Sequence, residues 1–178
     1  LHIPLQSGSD SVLQRMGRPY DSILYQTKLE KTARLLPDAL IAADIIAGFP
    51  GETEQEFSDT CRFVASLPLA DLHVFPYSRR PGTRAAAMDG QLQPGVIKER
   101  AEQLRCLASA KRTAFRQRFI GRSLQVLGQG HSPATGRMTG LSRNYLDVSY
   151  PADASLLNQE VVVQVDDMKD GQLRGSCL

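Results

Sequence analysis

Residues 39–57, ALIAADIIAGFPGETEQEF, decide how the longer part of the chain folds. The first nine of them are apolar except for Asp44, which is typical of a strand buried on both faces of a parallel sheet. Thr53 and Glu56 then match the S/T-x-x-E pattern of a capping box, in which both side chains satisfy exposed amides of a first helical turn. The stretch therefore predicts a strand, a tight turn containing two glycines, and a helix.

Strands and helices alternate on both sides of this stretch. The pattern predicts strands over residues 1–5, 39–47 and 72–77, and helices over residues 11–16, 22–36, 54–67 and 94–120. This order favours parallel strands joined by right-handed crossovers, which is an α/β fold. Three such strands alone would expose a long apolar edge, and Leu1 reads as part of a strand already under way. We therefore expect the chain to lack its beginning.

The tail has a different pattern. From Gly121 onward, short strands are predicted over residues 123–127, 145–148 and 161–165, separated by residues that favour turns. Short strands of this kind make either a small barrel or an open sheet. The sequence thus predicts two domains, residues 1–120 and residues 121–178.

Composition excludes several classes of protein. No apolar run approaches the roughly 18 residues that a membrane span requires, and no signal peptide is recognisable. We therefore expect a cytoplasmic protein without a membrane partner. The three cysteines lie far apart without a C-x-x-C pair, which excludes a disulfide framework and a sequence-local metal site.

Individual cysteines and histidines are expected to be structural. Cys61 and Cys106 fall on helical patterns and are expected to be buried thiols, as free cysteines commonly are. His2 and His73 lie on predicted strands, where a hydrogen-bonded structural role is expected. No second ligand with metal spacing accompanies either histidine, so the sequence predicts no metal site.

A ligand site is expected where the parallel strands end and the helices begin, because unpaired backbone amides lie at that edge of an α/β sheet. Gly48 would let the backbone approach a ligand closely, and Asp44 needs a hydrogen-bond partner inside its apolar strand. Gln6 and Ser7 occupy the same position after the first strand, and suit a sugar or a carboxylate. Alternatively, these residues only turn the chain, cap a helix and tie neighbouring elements together.

Positive charge is concentrated in two places. The loop YSRRPGTR, residues 77–84, sets an aromatic ring beside three guanidinium groups, which can stack a base and grip phosphate. Residues 98–122 hold eight Lys and Arg against two Glu. Each segment is interpreted either as a nucleic-acid contact or as an ordinary solvated surface.

Three segments resemble the radical S-adenosylmethionine methylthiotransferases. LHIPLQSGSDSVLQRMGRPY (residues 1–20) is similar to the fourth barrel strand and following helix of that family, DIIAGFPGETEQEF (44–57) to the fifth strand, and LHVFPYSRRPGTRAA (72–86) to the sixth. The tail after Gly121 resembles a TRAM domain, a small β-barrel that helps to bind RNA. The resemblance implies the C-terminal half of a (β/α)6 partial barrel followed by a small all-β barrel.

The resemblance also implies an activity. HVFPYSRRPGT (residues 73–83) is most similar to the branch that adds a methylthio group to carbon 2 of N6-threonylcarbamoyladenosine at position 37 of tRNA. Such enzymes use S-adenosylmethionine and two 4Fe-4S clusters, whose cysteine ligands are missing from this chain. The implied partners are tRNA and the missing N-terminal half of the same protein, and the chain by itself is expected to be inactive. Alternatives are a non-catalytic RNA-binding module derived from such an enzyme, or a methylthiotransferase acting on isopentenyladenosine tRNA or on a ribosomal protein.

The family pattern carries over to few residues, and it assigns no catalytic residue here. The cofactor-binding residues that it implies are Gln6, Ser7, Asp44, Gly48, Phe75 and Tyr77. The residues expected to contact RNA are Arg79, Arg80, Arg105, Arg112 and Arg116.

Overall fold

In the computed structural model, which describes residues 1–178, the chain divides into two units, Leu1–Lys111 and Arg112–Leu178. The helices are α1 (Asp10–Arg15), α2 (Ser22–Leu35), α3 (Glu54–Ser66) and α4 (Pro94–Gln117). The strands are β1 (Ala42–Ala47), β2 (Asp71–Pro76), β3 (Ser123–Ser132), β4 (Arg137–Ser142), β5 (Asp147–Pro151), β6 (Glu160–Lys169) and β7 (Gln172–Cys177). No helix combines the length and the apolar character that a membrane crossing requires.

The first unit is built on the parallel pair β1 and β2, as the alternation of strands and helices predicts. In place of the strand expected over residues 1–5, the start of the chain pairs with β1 through two isolated parallel bridges, at His2 and at Gln6. Ile3 and Leu5 donate backbone hydrogen bonds to β1 on either side of Pro4, and the positive φ of 73° at Gln6 ends the extended pairing. The expectation of a regular first strand was therefore wrong.

Side chains on the two faces of this small sheet have different surroundings. Ala43 and Ile45 of β1 and Leu72 of β2 are buried in the apolar core of this unit, where a fully buried Ile or Leu contributes about 1.5–3 kcal/mol. Successive side chains of a strand alternate between faces. Asp44 on β1 and its register partner His73 on β2 therefore project from the opposite face.

Helix α3 begins as its sequence predicts. The Thr53 hydroxyl accepts a hydrogen bond from the Glu56 amide, and the Glu56 carboxylate accepts one from the Thr53 amide, which completes the capping box. Two orphan N–H groups of the first turn are thereby satisfied.

The prediction of buried cysteine thiols fails for Cys106, which is exposed, and holds only in part for Cys61, which is half-buried. Along α4, Leu104 and Ala108 are buried. Residues in a helix are separated by about 100° each, so Cys106 lies about 200° from Leu104 and faces away from the core.

The second unit is a closed barrel with the strand order β3-β4-β5-β7-β6. Closure selects the barrel from the two arrangements that the sequence left open, and it leaves no sheet edge exposed. Two strands that the sequence analysis missed, β4 and β7, each contain a glycine where another chain segment passes closely. A Cβ at Gly140 would lie 2.4 Å from the Leu127 carbonyl oxygen, and one at Gly175 would lie 2.1 Å from that of Gln164.

Candidate ligand site

A cavity of about 410 Å³ opens at the carboxyl ends of β1 and β2. Its apolar wall includes Ile46, Phe49 and Phe75. The Phe49 and Tyr77 rings meet edge to face, with centroids 5.7 Å apart. Flat aromatic and aliphatic groups of this kind suit a planar ring system, and pockets of roughly 300–1,000 Å³ are typical of small-molecule sites.

Polar groups reach the same cavity from three directions. Gln6, Asp44 and Tyr77 all line it. The Tyr77 hydroxyl is buried out of reach of solvent and has no hydrogen-bond partner, which is a costly arrangement, so Tyr77 lines the cavity with its ring. The cavity therefore offers an apolar wall together with a small number of directed polar groups.

Gln6 has strained backbone geometry. Its φ of 73° is unusual for a residue other than glycine and costs about 1–3 kcal/mol, so it persists only where the surroundings hold it in place. Here the surroundings are β1, because the Gln6 amide donates to the Asp44 carbonyl oxygen at 2.7 Å and the Gln6 carbonyl accepts from the Ile46 amide at 2.9 Å. The backbone bend is thus fixed by the neighbouring strand at the residue that lines the cavity.

Asp44 has the hydrogen-bond partners that its place in an apolar strand predicts. Its Oδ1 atom lies 2.6 Å from Nε2 of His2 and 3.2 Å from Nδ1 of His73. The sequence alone gives each of the two histidines a separate structural role. The parallel register brings them together instead, and their rings lie edge to face with centroids 4.8 Å apart.

The GFPGE turn is fixed by a buried ion pair that the sequence analysis did not identify. Arg100 donates from Nη1 to the Glu52 carboxylate at 2.8 Å and to the Glu52 carbonyl oxygen at 2.9 Å. The same carboxylate accepts the Gly48 amide at 3.0 Å. Burial raises the pKa of the Glu52 carboxyl, while the hydrogen bond from Arg100 opposes that rise.

Gly48 therefore lies beside the cavity rather than in its wall. It has a φ of +78°, and a Cβ at this position would lie 2.7 Å from Cγ1 of Ile97 on α4. The positive φ and the overlap with Ile97 require glycine here for the turn and for packing against α4, and the Gly48 amide is already bonded to Glu52. A role for Gly48 in binding a cofactor stays a prediction.

Ser7 is fully buried and faces helix α3. Its hydroxyl lies 3.2 Å from the Thr60 hydroxyl and accepts a hydrogen bond from the Ser9 amide at 3.2 Å. These contacts hold the loop after the first extended segment against α3. Ser7 does not line the cavity, whereas Gln6 next to it does.

The arginine-containing loop after β2 contributes to more than one cavity. Arg80 lines the cavity that also holds Gln6 and Tyr77. A second cavity, of about 470 Å³, has Tyr77, Arg79, Lys98 and Arg105 among its lining residues. Arg79 is also anchored, since its Nε donates to the Ala86 carbonyl oxygen at 2.9 Å.

The eight cations of residues 98–122 do not form one uniform basic surface. Arg100 is buried against Glu52, and Lys111 donates to the carbonyl oxygens of Ala65 and Leu67 at 3.1 and 2.7 Å. Burial lowers the pKa of Lys111. A single phosphate-facing row of all eight is therefore excluded.

The arginines predicted to contact RNA have different surroundings. Arg105 is half-exposed and pairs with Glu102 at 3.3 Å. In the second unit, Arg112 is partly buried, and Arg116 lies 3.9 Å from an oxygen of Asp147. RNA contact by these residues stays a prediction.

The cysteines do not provide a site for an iron–sulfur cluster. Cys61 lies on α3, Cys106 on α4 and Cys177 on β7, and none lines the cavity. The one group of three His, Cys, Asp or Glu side chains close enough to share a metal ion consists of His2, Asp44 and His73. No chemical step through a cluster is assigned to residues of this chain.

Comparison with curated proteins identifies long relatives with a shared type of activity, while no family model matches the chain. The chain is 35% identical over 178 residues to the tRNA-2-methylthio-N(6)-dimethylallyladenosine synthase of Desulfitobacterium hafniense (strain Y51). This alignment covers 99% of this chain and 40% of that protein. It is 34% identical over 168 residues to the threonylcarbamoyladenosine tRNA methylthiotransferase MtaB of Bacillus subtilis (strain 168), covering 93% and 37%. It is 44% identical over 148 residues to the tRNA-2-methylthio-N(6)-dimethylallyladenosine synthase of Salinispora arenicola (strain CNS-205), covering 81% and 30%. The homologues are thus tRNA methylthiotransferases, and the chain spans less than half the length of each.

Proposed function

We propose that this chain is the C-terminal part of a tRNA methylthiotransferase, comprising the last strands of its radical S-adenosylmethionine barrel and a TRAM-like RNA-binding barrel. The observation that carries the proposal is 35% identity to one such enzyme across 99% of the chain. That alignment covers 40% of the relative, which supports a longer parent protein that supplies the iron–sulfur clusters.

The cavity at the ends of β1 and β2 fits the adenosyl part of S-adenosylmethionine. Its wall of Phe49, Phe75 and the Tyr77 ring suits stacking against a purine, and Gln6 offers polar contacts to the ring or the sugar. When bound, S-adenosylmethionine supplies the radical and the methyl group of the reaction. The residues of this chain bind and orient it, and their apolar side chains keep water away from it.

The substrate that we propose is N6-threonylcarbamoyladenosine at position 37 of tRNA, on the strength of the segment HVFPYSRRPGT. Arg80 lines the same cavity as Tyr77, so a guanidinium group is available to a substrate carboxylate. A second candidate is dimethylallyladenosine, which is another name for isopentenyladenosine and has no carboxylate. It is favoured by the 44% identity to the Salinispora arenicola enzyme, which is named for the methylthiolated form of that nucleoside.

Binding of tRNA is proposed to depend on the first unit as well as on the barrel. Residues 121–178 carry five basic and six acidic side chains, so the barrel has little net charge with which to attract phosphate. Arg79 and Arg105 line a cavity of the first unit together with Lys98. Phosphate contacts made there would supply affinity irrespective of sequence.

The test is deletion of the complete gene followed by mass spectrometry of tRNA nucleosides. We expect loss of methylthiolated threonylcarbamoyladenosine, restored by the complete gene and restored poorly by a Tyr77→Ala variant, which removes a ring of the cavity wall. Tyr145→Ala is the matched control, because Tyr145 is 71% exposed in the other unit. Loss of methylthiolated dimethylallyladenosine instead would select the second candidate. Unchanged levels of both nucleosides would support the non-catalytic RNA-binding alternative.

A further inference from the structure

We propose that His2, Asp44 and His73 bind a divalent transition-metal ion of the zinc–iron class. One ligand atom from each side chain lies within 4.8 Å of the other two. The two imidazole nitrogens converge on the same carboxylate oxygen, Oδ1 of Asp44, at 2.6 and 3.2 Å. Two imidazole nitrogens and a carboxylate oxygen are therefore close enough to share one ion.

The distances are close to those of a metal centre. With metal–ligand bonds of about 2.0–2.2 Å, neighbouring ligand atoms of a tetrahedral site lie about 3.3 Å apart. His73 is already 3.2 Å from Asp44, and His2, at 2.6 Å, must move outward by less than an ångström. The widest separation, within 4.8 Å, is between the two histidine ligand atoms, which must come closer together. The side chains of His2 and His73 are 47% and 50% exposed, so rotation about their own bonds can make this adjustment without a change in the core.

The backbone holds the three residues in place before any ion binds. Asp44 and His73 are register partners on β1 and β2. His2 is joined to the adjoining Ala42 by a parallel bridge, and the Ile3 amide donates to the Ala42 carbonyl oxygen at 2.9 Å. A site presented by paired strands keeps its ligand spacing better than one presented by a loop.

The ligand set indicates the type of ion. Imidazole nitrogens suit zinc, iron, copper and nickel, and two histidines with one carboxylate are a recurring set for zinc and for non-haem ferrous iron. Three protein ligands leave at least one coordination position open. Because Asp44 also lines the cavity of about 410 Å³, that open position is available to a water, a carboxylate or a hydroxyl group bound there.

The experiment is calorimetric titration of Zn²⁺ into the metal-free 178-residue chain. The titration involves neither S-adenosylmethionine nor tRNA, so an absence of Zn²⁺ binding would leave the proposed methylthiotransferase function untouched. We expect one site per chain. Replacing a ligand should cost at least the roughly 10–100-fold in affinity that is typical of removing a second-shell partner, so His73→Asn and Asp44→Asn should each weaken binding at least that much.

His131→Asn is the matched control, because His131 is the third histidine of the chain and lies on β3 of the second unit. We expect the affinity of this variant to equal that of the unaltered chain. Far-UV circular dichroism checks that each variant is folded, and His2→Asn, at a position outside the regular strands, replaces any variant that is not. Visible absorption of bound Co²⁺, and its loss when Zn²⁺ is added, gives a second measurement on the unaltered chain.

Three outcomes would overturn the proposal. The first is the absence of saturable binding of either ion to the unaltered chain. The second is equal loss of affinity in the His73 and His131 variants. The third is an unchanged affinity in His73→Asn, since the Leu1 amino group and His2 would then bind the ion without the other two residues.

Discussion

Arg100 on α4 binds both the carboxylate and the backbone carbonyl of Glu52 in the turn after β1, at 2.8 and 2.9 Å. The side chains of the two residues are 7% and 1% exposed, so the pair lies almost wholly outside solvent. Arg100 also stacks over the Phe57 ring, 5.1 Å from its centroid. One cation thus joins the long helix, the turn and the start of α3.

Removal of Arg100 should destabilise the first unit. Breaking a buried pair by removing one partner typically costs about 3–5 kcal/mol, because the other charge stays buried. We expect Arg100→Met to lower the free energy of unfolding by about that amount, and the double variant Arg100→Met/Glu52→Gln to recover part of it. Urea denaturation followed by circular dichroism measures both. Arg105→Met is the control, since its pair with Glu102 is exposed and should be worth about 0–1 kcal/mol; equal losses in the two single variants would contradict the assignment.

The turn after β1 contains two glycines, Gly48 and Gly51, and glycine is required at the two positions for different reasons. Their φ angles are +78° and +75°, and an alanine in the left-handed region costs about 1–2 kcal/mol. Only at Gly48 would a Cβ also overlap a neighbour, Cγ1 of Ile97 at 2.7 Å. We therefore expect Gly48→Ala to lower the thermal midpoint clearly more than Gly51→Ala, whose nearest neighbour would be Arg15 at 3.8 Å. Equal shifts would mean that packing against α4 does not matter.

Stability of the first unit should depend on pH through Glu56. The hydrogen bonds from Arg15 hold the pKa of its carboxyl at about 2, against an ordinary 4.5. Because the folded-state pKa is the lower one, this stabilisation is present above about pH 4.5 and is lost as the pH falls toward 2. We expect Arg15→Met to reduce the loss of stability over this interval, as measured by urea midpoints at a series of pH values. Arg62→Met, which removes a more exposed pair with Asp59, is the control and should leave the pH dependence nearly unchanged.

Local signals in the sequence predict much of this structure. The Thr53 and Glu56 capping box and the parallel pairing of β1 with β2 follow from short segments, because they depend on neighbouring residues and on the apolar pattern of each strand. The closed barrel was one of two arrangements that the tail pattern allows. Strands β4 and β7 escaped prediction because their glycines weaken the usual strand signal.

Contacts between residues that are far apart in the sequence cannot be predicted from such local signals. His2 is 42 residues from Asp44, and Asp44 is 29 residues from His73, so only the register of the sheet brings them together. Arg100 was counted with the solvated or phosphate-facing cations of α4. Its burial depends on which side of the helix meets the turn at Glu52, and charge alone does not carry that information.

The last prediction concerns the contribution of individual arginines to tRNA binding by the complete protein. Each phosphate contact that is lost should lower the slope of log affinity against log salt concentration by roughly 0.7–0.9 units. Arg80 is exposed and lines the cavity at the ends of β1 and β2. We therefore expect Arg80→Gln to lower the slope by the amount that corresponds to one lost phosphate contact. Arg34→Gln is the control, because Arg34 is also exposed but lies near the end of α2 and does not line that cavity.

The measurement is tRNA affinity at several salt concentrations for both variants and the unaltered protein. Arg116→Gln should have a smaller effect than Arg80→Gln, because Asp147 lies 3.9 Å from the Arg116 guanidinium and already offsets part of its charge. If Arg80 and Arg34 lower the slope equally, the charge of the protein as a whole attracts tRNA and no individual phosphate contact is made at the cavity. If neither changes it, the arginines of the loop after β2 belong to an ordinary solvated surface.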